Sequence, residues 1–559
     1  MKTPKINRHK DQPGMTITLE SAPPFYAISH SWTSDTDVEV LPEREELHLG
    51  STISTYVQRL RQLNTHTPRL EPSITYIWID SVCINQEDSD ERSAQVALMG
   101  KIYSQSLRTI ICLGEVDSVS TDGAWQLIGS IYTIFRIQNP TATSLSDIIL
   151  RTYDEQTHAA LGLRWFSRIW VVQEVVLSPQ DPIILLGEYH YAWETLGWAV
   201  AWLRRSGYMR LPYIHEQMRN IDTISNLRRA RTRWPLDALM SITQIKFRAS
   251  DQRDKVYALL GLAVECQDPS VVPDELKPDY NTDVTTLYQR TARFLLQRNG
   301  SLAMLTRARG LDGTETRNNR QHDLKLPSWC PDWSDFHTYN MSICTSLSWI
   351  DYSDSSSPAV LGFPKQYSAS GDSKVDVIET DQSPKYESVL QLRGFTIGEV
   401  SHVHPFHICR SKDRKASNDF DMKMLSVLRL AVSLLPTQDM ISWQTSFIHT
   451  MNAGQHYTNG RTVDECLADG AAWLLKLLQG PTSAVPLFAK QESSDLVVKQ
   501  LLEGSCNGIP GYCESLVRNF CFDRAFIITS DGRMGIAPSN SPYIRCLEDM
   551  KRLEALLSI

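Results

Sequence analysis

Residues 164–177 carry a single carboxylate, Glu174, among largely apolar side chains. If the segment is one helix, two opposite faces are mostly apolar: one holds Trp165, Ile169, Val172 and Val176, and the other holds Trp170, Gln173, Glu174 and Leu177. A helix that is apolar on both sides is buried. A buried carboxyl group has a perturbed pKa, and such groups cluster at functional sites, so Glu174 is the candidate catalytic residue. The structural alternative is an ion pair with Arg253 or Lys255.

A second group of polar residues follows two predicted strands. Ser29 and His30 follow the first strand, Asp80 closes the second, and Asn85 and Gln86 lie in the loop after it. Ligands of open parallel sheets bind at the carboxyl ends of the strands, so these side chains are candidates for binding a substrate or cofactor. In the structural alternative, Asp80 and Asn85 only satisfy backbone donors of the loop.

Short β-rich runs alternate with helical periodicity over residues 24–177, which is typical of βαβ units. Residues 26–29, 74–80 and 109–113 are predicted to form neighbouring parallel strands, because short crossovers place sequential strands side by side. Asp88 followed by Glu91 resembles a capping box and predicts the start of a helix.

The predicted fold class is an α/β N-terminal domain with a mostly parallel sheet, followed by a helical region and a mixed α+β C-terminal region. The predicted boundaries are a polar arm at residues 1–23, the α/β domain at 24–177, the helical extension at 178–325 and the mixed region at 326–559.

Composition excludes several classes of protein. The 559 residues carry 64 acidic and 56 basic side chains, a net charge of −8, so no nucleic-acid partner is expected. The basic run at residues 227–233 is interpreted as a solvated helix face.

No apolar stretch reaches the ~20 residues of a membrane helix, and the N-terminus lacks the apolar core of a signal peptide. The eleven cysteines contain no C-x-x-C pair. Together these features predict a cytoplasmic protein with reduced thiols and no membrane segment.

Standard catalytic signatures are missing, including the nucleophile elbow, the P-loop, the dinucleotide-binding glycine motif and the kinase set. His402, His404, His407 and Cys409 are side chains that suit zinc, but Pro405 interrupts the predicted strand and four ligands within about eight residues would be cramped. We interpret them as a His-rich edge segment and predict no metal site. No cofactor is required.

Several blocks of the sequence resemble the fungal heterokaryon-incompatibility (HET) domain proteins. They are YAISHSW at residues 26–32, IWIDSVCINQED at 77–88 and R-x-W-x-x-Q-E at 168–174. DQRDKVYALLGL at 251–262 and LPSWCPDW at 326–333 resemble blocks that commonly follow this domain. One departure is Thr33, where the family usually has glycine after the tryptophan.

The resemblance implies a signalling or effector protein of fungal non-self recognition and regulated cell death, which acts through self-association or a protein partner. HET domains are similar to TIR domains, which have a flavodoxin-like parallel sheet, and some TIR domains cleave NAD with a glutamate in a Trp-Cys-x-x-Glu motif. By this analogy, Glu174 would stabilise the charge that develops as nicotinamide leaves, while Ser29, Asp80, Asn85 and Gln86 would position the ribose and phosphates. NAD would then be a substrate. A third alternative is an accessory protein of a secondary-metabolite gene cluster, without chemistry of its own, so whether the protein is an enzyme stays open.

Two further expectations concern charged residues. Arg253 or Lys255 is predicted to dock residues 251–255 onto the α/β domain through a carboxylate, and the guanidinium fork favours Arg253. Replacement of Glu174 by Gln is predicted to abolish activity and keep the fold if the residue is catalytic. The same change would lower stability by about 1–3 kcal/mol if the residue belongs to an ion pair.

Overall fold

The structure is a computed structural model of the chain, which divides into two compact units. The first comprises residues 1–291 with 350–362, and the second comprises residues 292–349 with 363–559. The residues that the structure describes are 19–31, 38–41, 46–49, 58, 60, 76–113, 125–133, 163–186, 189–205, 216–244, 247–268, 272–299, 305, 324–327, 329–334, 389–392, 398–406, 414–434, 440–452, 462–479, 507–521 and 524–538.

A five-stranded, mostly parallel sheet forms the centre of the first unit. The strands of this unit are β1 (Tyr26–His30), β2 (Val38–Leu41), β3 (Glu46–Leu49), β4 (Ile77–Ile79), β5 (Thr109–Cys112), β6 (Ile183–Leu186) and β7 (Tyr189–Ala192). The order in the sheet is β4-β1-β5-β6-β7, and β2 pairs with β3 separately. All neighbours in the sheet are parallel except β6 and β7. The prediction of three neighbouring parallel strands is confirmed, with β1 between the other two. Every residue of β1 and β5 is buried, as expected for strands covered on both faces.

Helices surround this sheet and continue after it. They are α1 (Asp80–Cys83), α2 (Ser89–Val96), α3 (Met99–Gln105), α4 (Val171–Val176), α5 (Trp193–Arg205), α6 (Glu216–Ala230), α7 (Leu236–Thr243), α8 (Asp254–Tyr257) and α9 (Val284–Asn299). The predicted helix start is confirmed, because Asp88 caps α2 and accepts hydrogen bonds from the backbone of Asp90 and Glu91. The carboxylate of Glu91 turns to the backbone N–H of Asn85 instead of completing the capping box. Asp80 begins α1 rather than ending a strand.

Residues 164–177 are not one helix, which corrects the prediction. They form a 3₁₀ turn at Arg164–Ser167, an isolated parallel bridge between Arg168 and Arg248, and then α4. The backbone of Arg248 donates to the Ser167 carbonyl and accepts from the Ile169 N–H, at 2.9 Å in the second case. These two groups are therefore occupied by a distant part of the chain, so an uninterrupted helix cannot form there.

The basic run at residues 227–233 is not a solvated helix face, which is a second correction. Arg229 lies over the ring of Trp198, 3.9 Å from its centroid, and Arg233 donates to the carbonyl of Gly261 at 2.8 Å. The side chain of Arg228 is only 13% exposed. These arginines hold parts of the first unit together.

The second unit contains the strands β8 (Val400–Pro405), β9 (Arg524–Thr529) and β10 (Met534–Pro538), and the helices α10 (Arg414–Leu434), α11 (Met440–Met451), α12 (Val463–Gln479) and α13 (Pro510–Phe520). The three strands form an antiparallel sheet in the order β10-β9-β8. Gly532 has a φ of 82° in the turn between β9 and β10, a conformation that glycine adopts without strain. The two units together have the predicted layout, an α/β part followed by helical and α+β parts.

The predicted His-rich edge segment lies only partly within the described residues. His402 and His404 belong to β8, and the strand includes Pro405 at its end rather than being interrupted before it. Residues 407 and 409 lie outside the described residues. Across the described part of the chain, no group of three or more His, Cys, Asp or Glu side chains could hold a metal ion.

Two general features of the sequence can be compared with the described residues. Seven cysteines there are buried and form no disulfide bond, at positions 83, 112, 266, 330, 466, 513 and 521. No helix in these parts of the chain has both the length and the apolar character needed to cross a bilayer.

Candidate functional site

Glu174 lies at the end of a buried hydrogen-bonded chain. It is on α4, is 2% exposed, and its Oε2 accepts a hydrogen bond from the hydroxyl of Ser29 on β1. The same hydroxyl oxygen accepts a hydrogen bond from Nε1 of Trp165 at 2.8 Å. The indole, hydroxyl and carboxyl groups therefore form one chain near the carboxyl end of β1, and the expectation that Glu174 is buried is confirmed.

The backbone of Glu174 is fixed by the neighbouring strand. Oγ1 of Thr109, the first residue of β5, donates to the Glu174 carbonyl at 2.8 Å. The N–H of Thr109 donates to Oγ of Ser178 at 2.9 Å, just beyond the end of α4. Because β5 pairs with β1, these bonds set the position of Glu174 relative to Ser29.

Arg168 and His30 lie beside this chain. Nη1 of Arg168 donates to the carbonyl of His30, the last residue of β1. The His30 ring lies between two α1 residues: Nδ1 is 3.6 Å from Oδ1 of Asp80, and Nε2 is 3.3 Å from Oγ of Ser81. Ser29 and His30 at the end of β1 and Asp80 directly after β4 are therefore brought together with Glu174.

Burial shifts the pKa values of Glu174 and His30 in the directions that favour their uncharged forms. Burial raises the pKa of Glu174 from 4.5 to about 7, although Arg168 and the Ser29 hydrogen bond pull it down. Burial lowers the pKa of His30, opposed by the charge of Asp80. His30 is therefore neutral at pH 7, and its contact with Asp80 is a polar contact rather than an ion pair. Burial and the nearby Glu174 hold the pKa of the Tyr103 hydroxyl well above its ordinary value.

Asn85 and Gln86 contribute less directly than predicted. Oδ1 of Asn85 accepts a hydrogen bond from the backbone of Glu87 at 3.2 Å, as in the structural alternative. Nε2 of Gln86 donates to the carbonyl of Asp80 at 3.3 Å. The structure therefore uses both amides within the loop after β4, and Gln86 is the one that contacts another candidate residue.

Among the described residues, Arg253 pairs neither with Glu174 nor with a carboxylate of the α/β domain, so both predictions for its ion pair are wrong. Arg253 pairs with Asp251 of its own segment at 2.8 Å and donates to the carbonyl of Thr282 at 3.0 Å. The ammonium group of Lys255 is buried and donates to two backbone carbonyls, one of them that of Gln244 at 2.8 Å. The cation that acts on Glu174 is Arg168.

Residues 251–255 do dock onto the α/β part, but they supply the carboxylate and the α/β part supplies the cation. The cation is Arg92 of α2, and its Nη2 lies 3.4 Å from Oδ2 of Asp251. The same guanidinium lies over the ring of Tyr280, 3.7 Å from the centroid. The hydroxyl of Tyr280 donates to the carboxyl of Asp254, whose pKa burial raises to about 6. The docking surface is thus a layer of arginine, tyrosine and aspartate side chains.

Gly261, which follows the docking segment, and Gly100 of α3 allow a second close approach to the α/β part. A Cβ on Gly261 would lie 2.6 Å from Oε1 of Gln173 and 2.9 Å from Cα of Gly100 in α3. Real Cβ atoms do not approach other atoms so closely, so a side chain at position 261 would push against both α3 and α4. Gln173 precedes Glu174, so this contact also touches the helix of the candidate site.

Sequence reasoning missed Trp165 and Arg168 as members of the cluster. Both lie in the segment that the sequence predicts as a single helix, and in that geometry Trp165 would lie on the face opposite Glu174. The signal for Arg168 was present in the R-x-W-x-x-Q-E block, which begins at that residue, whereas Trp165 lies before the block.

Comparisons with known proteins give a consistent result. Residues 25–174 match the family model described as "Heterokaryon incompatibility protein (HET)". The chain is 27% identical over 423 residues to "Heterokaryon incompatibility protein 6, OR allele" of Neurospora crassa, and the alignment covers 62% of this chain and 59% of that protein. The chain thus spans about three-fifths of the length of this curated relative. No solved structure matches the chain.

Proposed function

We propose that this chain belongs to the HET domain family, whose model its residues 25–174 match, and that it acts in fungal non-self recognition and regulated cell death. It does so as a signalling or effector protein, through self-association or a protein partner. The observation that carries the proposal is the extent of the similarity: it covers 62% of this chain, well beyond residues 25–174 of the matched domain. The relative's name refers to heterokaryon incompatibility, and the shared segment includes more than the domain that gives the family its name.

Inducible expression in a filamentous fungus tests this proposal. We expect expression of the full chain to arrest growth and to admit a membrane-impermeant dye into hyphal compartments. Glu87→Gln, which changes an exposed glutamate in the loop after α1, serves as the matched control and should kill as well as the wild type. Normal growth at expression levels where a known incompatibility protein kills would contradict the proposal.

Self-association is tested on the purified protein. Size-exclusion chromatography with light scattering should give a mass that is a multiple of 63.5 kDa under the conditions in which the protein kills. A monomer that crosslinks to no host protein in dying hyphae would reject both modes of action.

A second candidate function, hydrolysis of NAD, is favoured by the environment of Glu174. The carboxyl group is buried near the carboxyl end of β1, next to the Ser29 hydroxyl, and its pKa of about 7 leaves a substantial ionised fraction at neutral pH. The carboxylate would stabilise positive charge on the ribose as the bond to nicotinamide breaks. Water would then add to the same carbon, giving nicotinamide, ADP-ribose and a proton. Because Glu174 is 2% exposed, substrate entry requires the cluster to open.

Nicotinamide release by the purified chain separates the two candidates. We expect equimolar loss of NAD and release of nicotinamide with the wild type and with Glu87→Gln, and none with Glu174→Gln. Equal, background-level NAD loss in all three proteins would reject the hydrolase and leave the incompatibility function to act through protein contacts alone.

A further inference from the structure

Arg228, on α6 and outside the matched residues 25–174, binds the end of the helix that carries Glu174. Its Nη1 donates to the carbonyls of Val175 at 2.8 Å and Ser178 at 2.6 Å, and its Nη2 donates to the carbonyl of Gln180 at 2.8 Å. The last carbonyls of a helix have no partner within the helix. Arg228 therefore satisfies several carbonyls at the end of α4 with one rigid fork.

This arrangement is built into the interior. The Arg228 side chain is 13% exposed, and its nearest carboxylate, Asp181, is 3.9 Å away and 30% exposed. Burying a guanidinium is costly unless its donors are satisfied, and here carbonyl oxygens of residues 175–180 satisfy them. The contact is thus specific to the backbone path that follows Glu174.

A second contact from α6 fixes the start of the same segment. Nδ2 of Asn220 donates to the carbonyl of Phe166 at 3.0 Å. Asn220 and Arg228 are eight residues apart on one helix, so α6 holds residues 166–180 at both ends while Thr109 of β5 holds Glu174 itself. The carboxyl group therefore has little freedom to leave Ser29.

We propose that Arg228 is a positioning residue for Glu174: from a helix outside the matched domain, it holds the end of α4 in place and thereby keeps the Glu174 carboxyl group against Ser29. The inference rests on the proposed function for its biological meaning, but its physical content is independent of it. If the grip of Arg228 is lost, the end of α4 frays and water reaches the carboxyl group.

The direction of the effect follows from the cause of the pKa shift. Burial is the largest cause of the raised pKa of Glu174, so admission of water must lower the pKa toward 4.5. The charged and titratable groups that act on Glu174 are Arg168 and Asp80, with Tyr103 and His30 beside them, and none of these is changed by a substitution at position 228. A change in the titration midpoint of the Glu174 carboxyl group would therefore report that this group has moved relative to its surroundings.

The test is a pH titration of the full chain labelled with 5-fluorotryptophan. Trp165 reports on Glu174 through the Ser29 hydroxyl, and its fluorine resonance is identified among those of the 14 tryptophans by its loss in Trp165→Phe. In the wild type the resonance should titrate with a midpoint near 7, and Glu174→Gln should abolish that titration. Only folded molecules contribute to this resonance, so a general loss of stability does not move the midpoint.

We expect Arg228→Ala to lower the midpoint by about one pH unit or more. Arg228→Lys, which keeps the charge and loses the fork, should give a smaller decrease, and it replaces the alanine variant if that one fails to fold. Arg219→Ala, which changes an exposed arginine of the same helix, should leave the midpoint unchanged. In the expression assay, Arg228→Ala should reduce killing and Arg219→Ala should not.

The two proposals fail in different ways. An unchanged midpoint in both Arg228 variants overturns the positioning role, whatever the protein does in the cell. A lowered midpoint in a protein whose wild type neither kills hyphae nor cleaves NAD supports the positioning role and rejects the proposed function.

Discussion

Replacement of Glu174 by Gln is expected to change how the stability of the protein depends on pH. Burial raises the folded-state pKa of this carboxyl group from 4.5 to about 7. The fold therefore favours the protonated form, and the resulting stability is complete below pH 4.5 and is lost as the pH rises through 7. A difference of about 2.5 pKa units corresponds to about 3 kcal/mol. Since Gln is neutral at every pH, the stability of the wild type relative to the variant should fall by about 2–3 kcal/mol between pH 5 and pH 8.

Thermal unfolding of both proteins at several pH values measures this difference. About 2–3 kcal/mol corresponds to roughly 5 °C or more in the melting temperature of a domain of this size. Asp254 titrates in the same range, but it is present in both proteins, so its contribution cancels. Above pH 7 the variant should be the more stable protein, the opposite sign from the loss expected of an ion-pair member. Identical pH dependence in the two proteins would refute the reasoning, and Glu87→Gln should behave as the wild type.

Three other substitutions probe the surroundings of the site. Arg168→Gln removes the cation that lowers the pKa of Glu174, so the midpoint of the fluorine titration should move above 7. Asp251→Asn removes the ion pairs of this carboxylate with Arg92 and Arg253 and should lower the free energy of unfolding by about 1 kcal/mol near pH 7. Because the pKa of Asp251 is lowered in the folded protein, this difference from the wild type should vanish as the pH falls through that pKa, which acid unfolding of both proteins measures. Gly261→Ala should destabilise the protein by about 1–3 kcal/mol, since there is no space for the added Cβ. Gly129→Ala is the control, because nothing lies within 4 Å of the added Cβ, and it should be neutral or stabilising. Urea unfolding midpoints that rank the two variants the other way would contradict this prediction.

The parallel sheet and the burial of Glu174 could be predicted because both depend on local composition. Residues 26–29 and 109–113 are short, mostly apolar runs that predict buried strands, and the strands observed there, β1 and β5, pair as expected. Glu174 is the one carboxylate in an apolar segment, so any fold that buries the segment also buries the carboxyl group. The carboxyl-end rule for parallel sheets then brings Ser29 and Asp80 close to it.

The interruption of the 164–177 segment could not be predicted, because its cause lies about eighty residues away. The backbone of Arg248 occupies groups that a helix would use, and no property of the segment itself signals this. The roles of the arginines were missed for a related reason. Arg228 and Arg233 bind backbone carbonyls, and backbone acceptors, unlike a pattern of acidic side chains, leave no mark in the sequence.

Because burial raises its pKa, the carboxyl group of Glu174 is expected to make the protein less stable at neutral pH than an uncharged group of the same shape would. An amide at this position could accept the hydrogen bond of the Ser29 hydroxyl without losing stability as the pH rises, so the requirements of the fold do not explain an ionisable side chain. What the carboxyl group adds is a proton that is exchanged near pH 7, in a position fixed by Thr109 from β5 and by Arg228 from α6. A buried group with a matched pKa on rigid supports is suited to act on a ligand or to respond to a partner. For this reason Glu174, rather than the loop amides Asn85 and Gln86, is the residue on which both the enzymatic and the signalling proposals should be tested first.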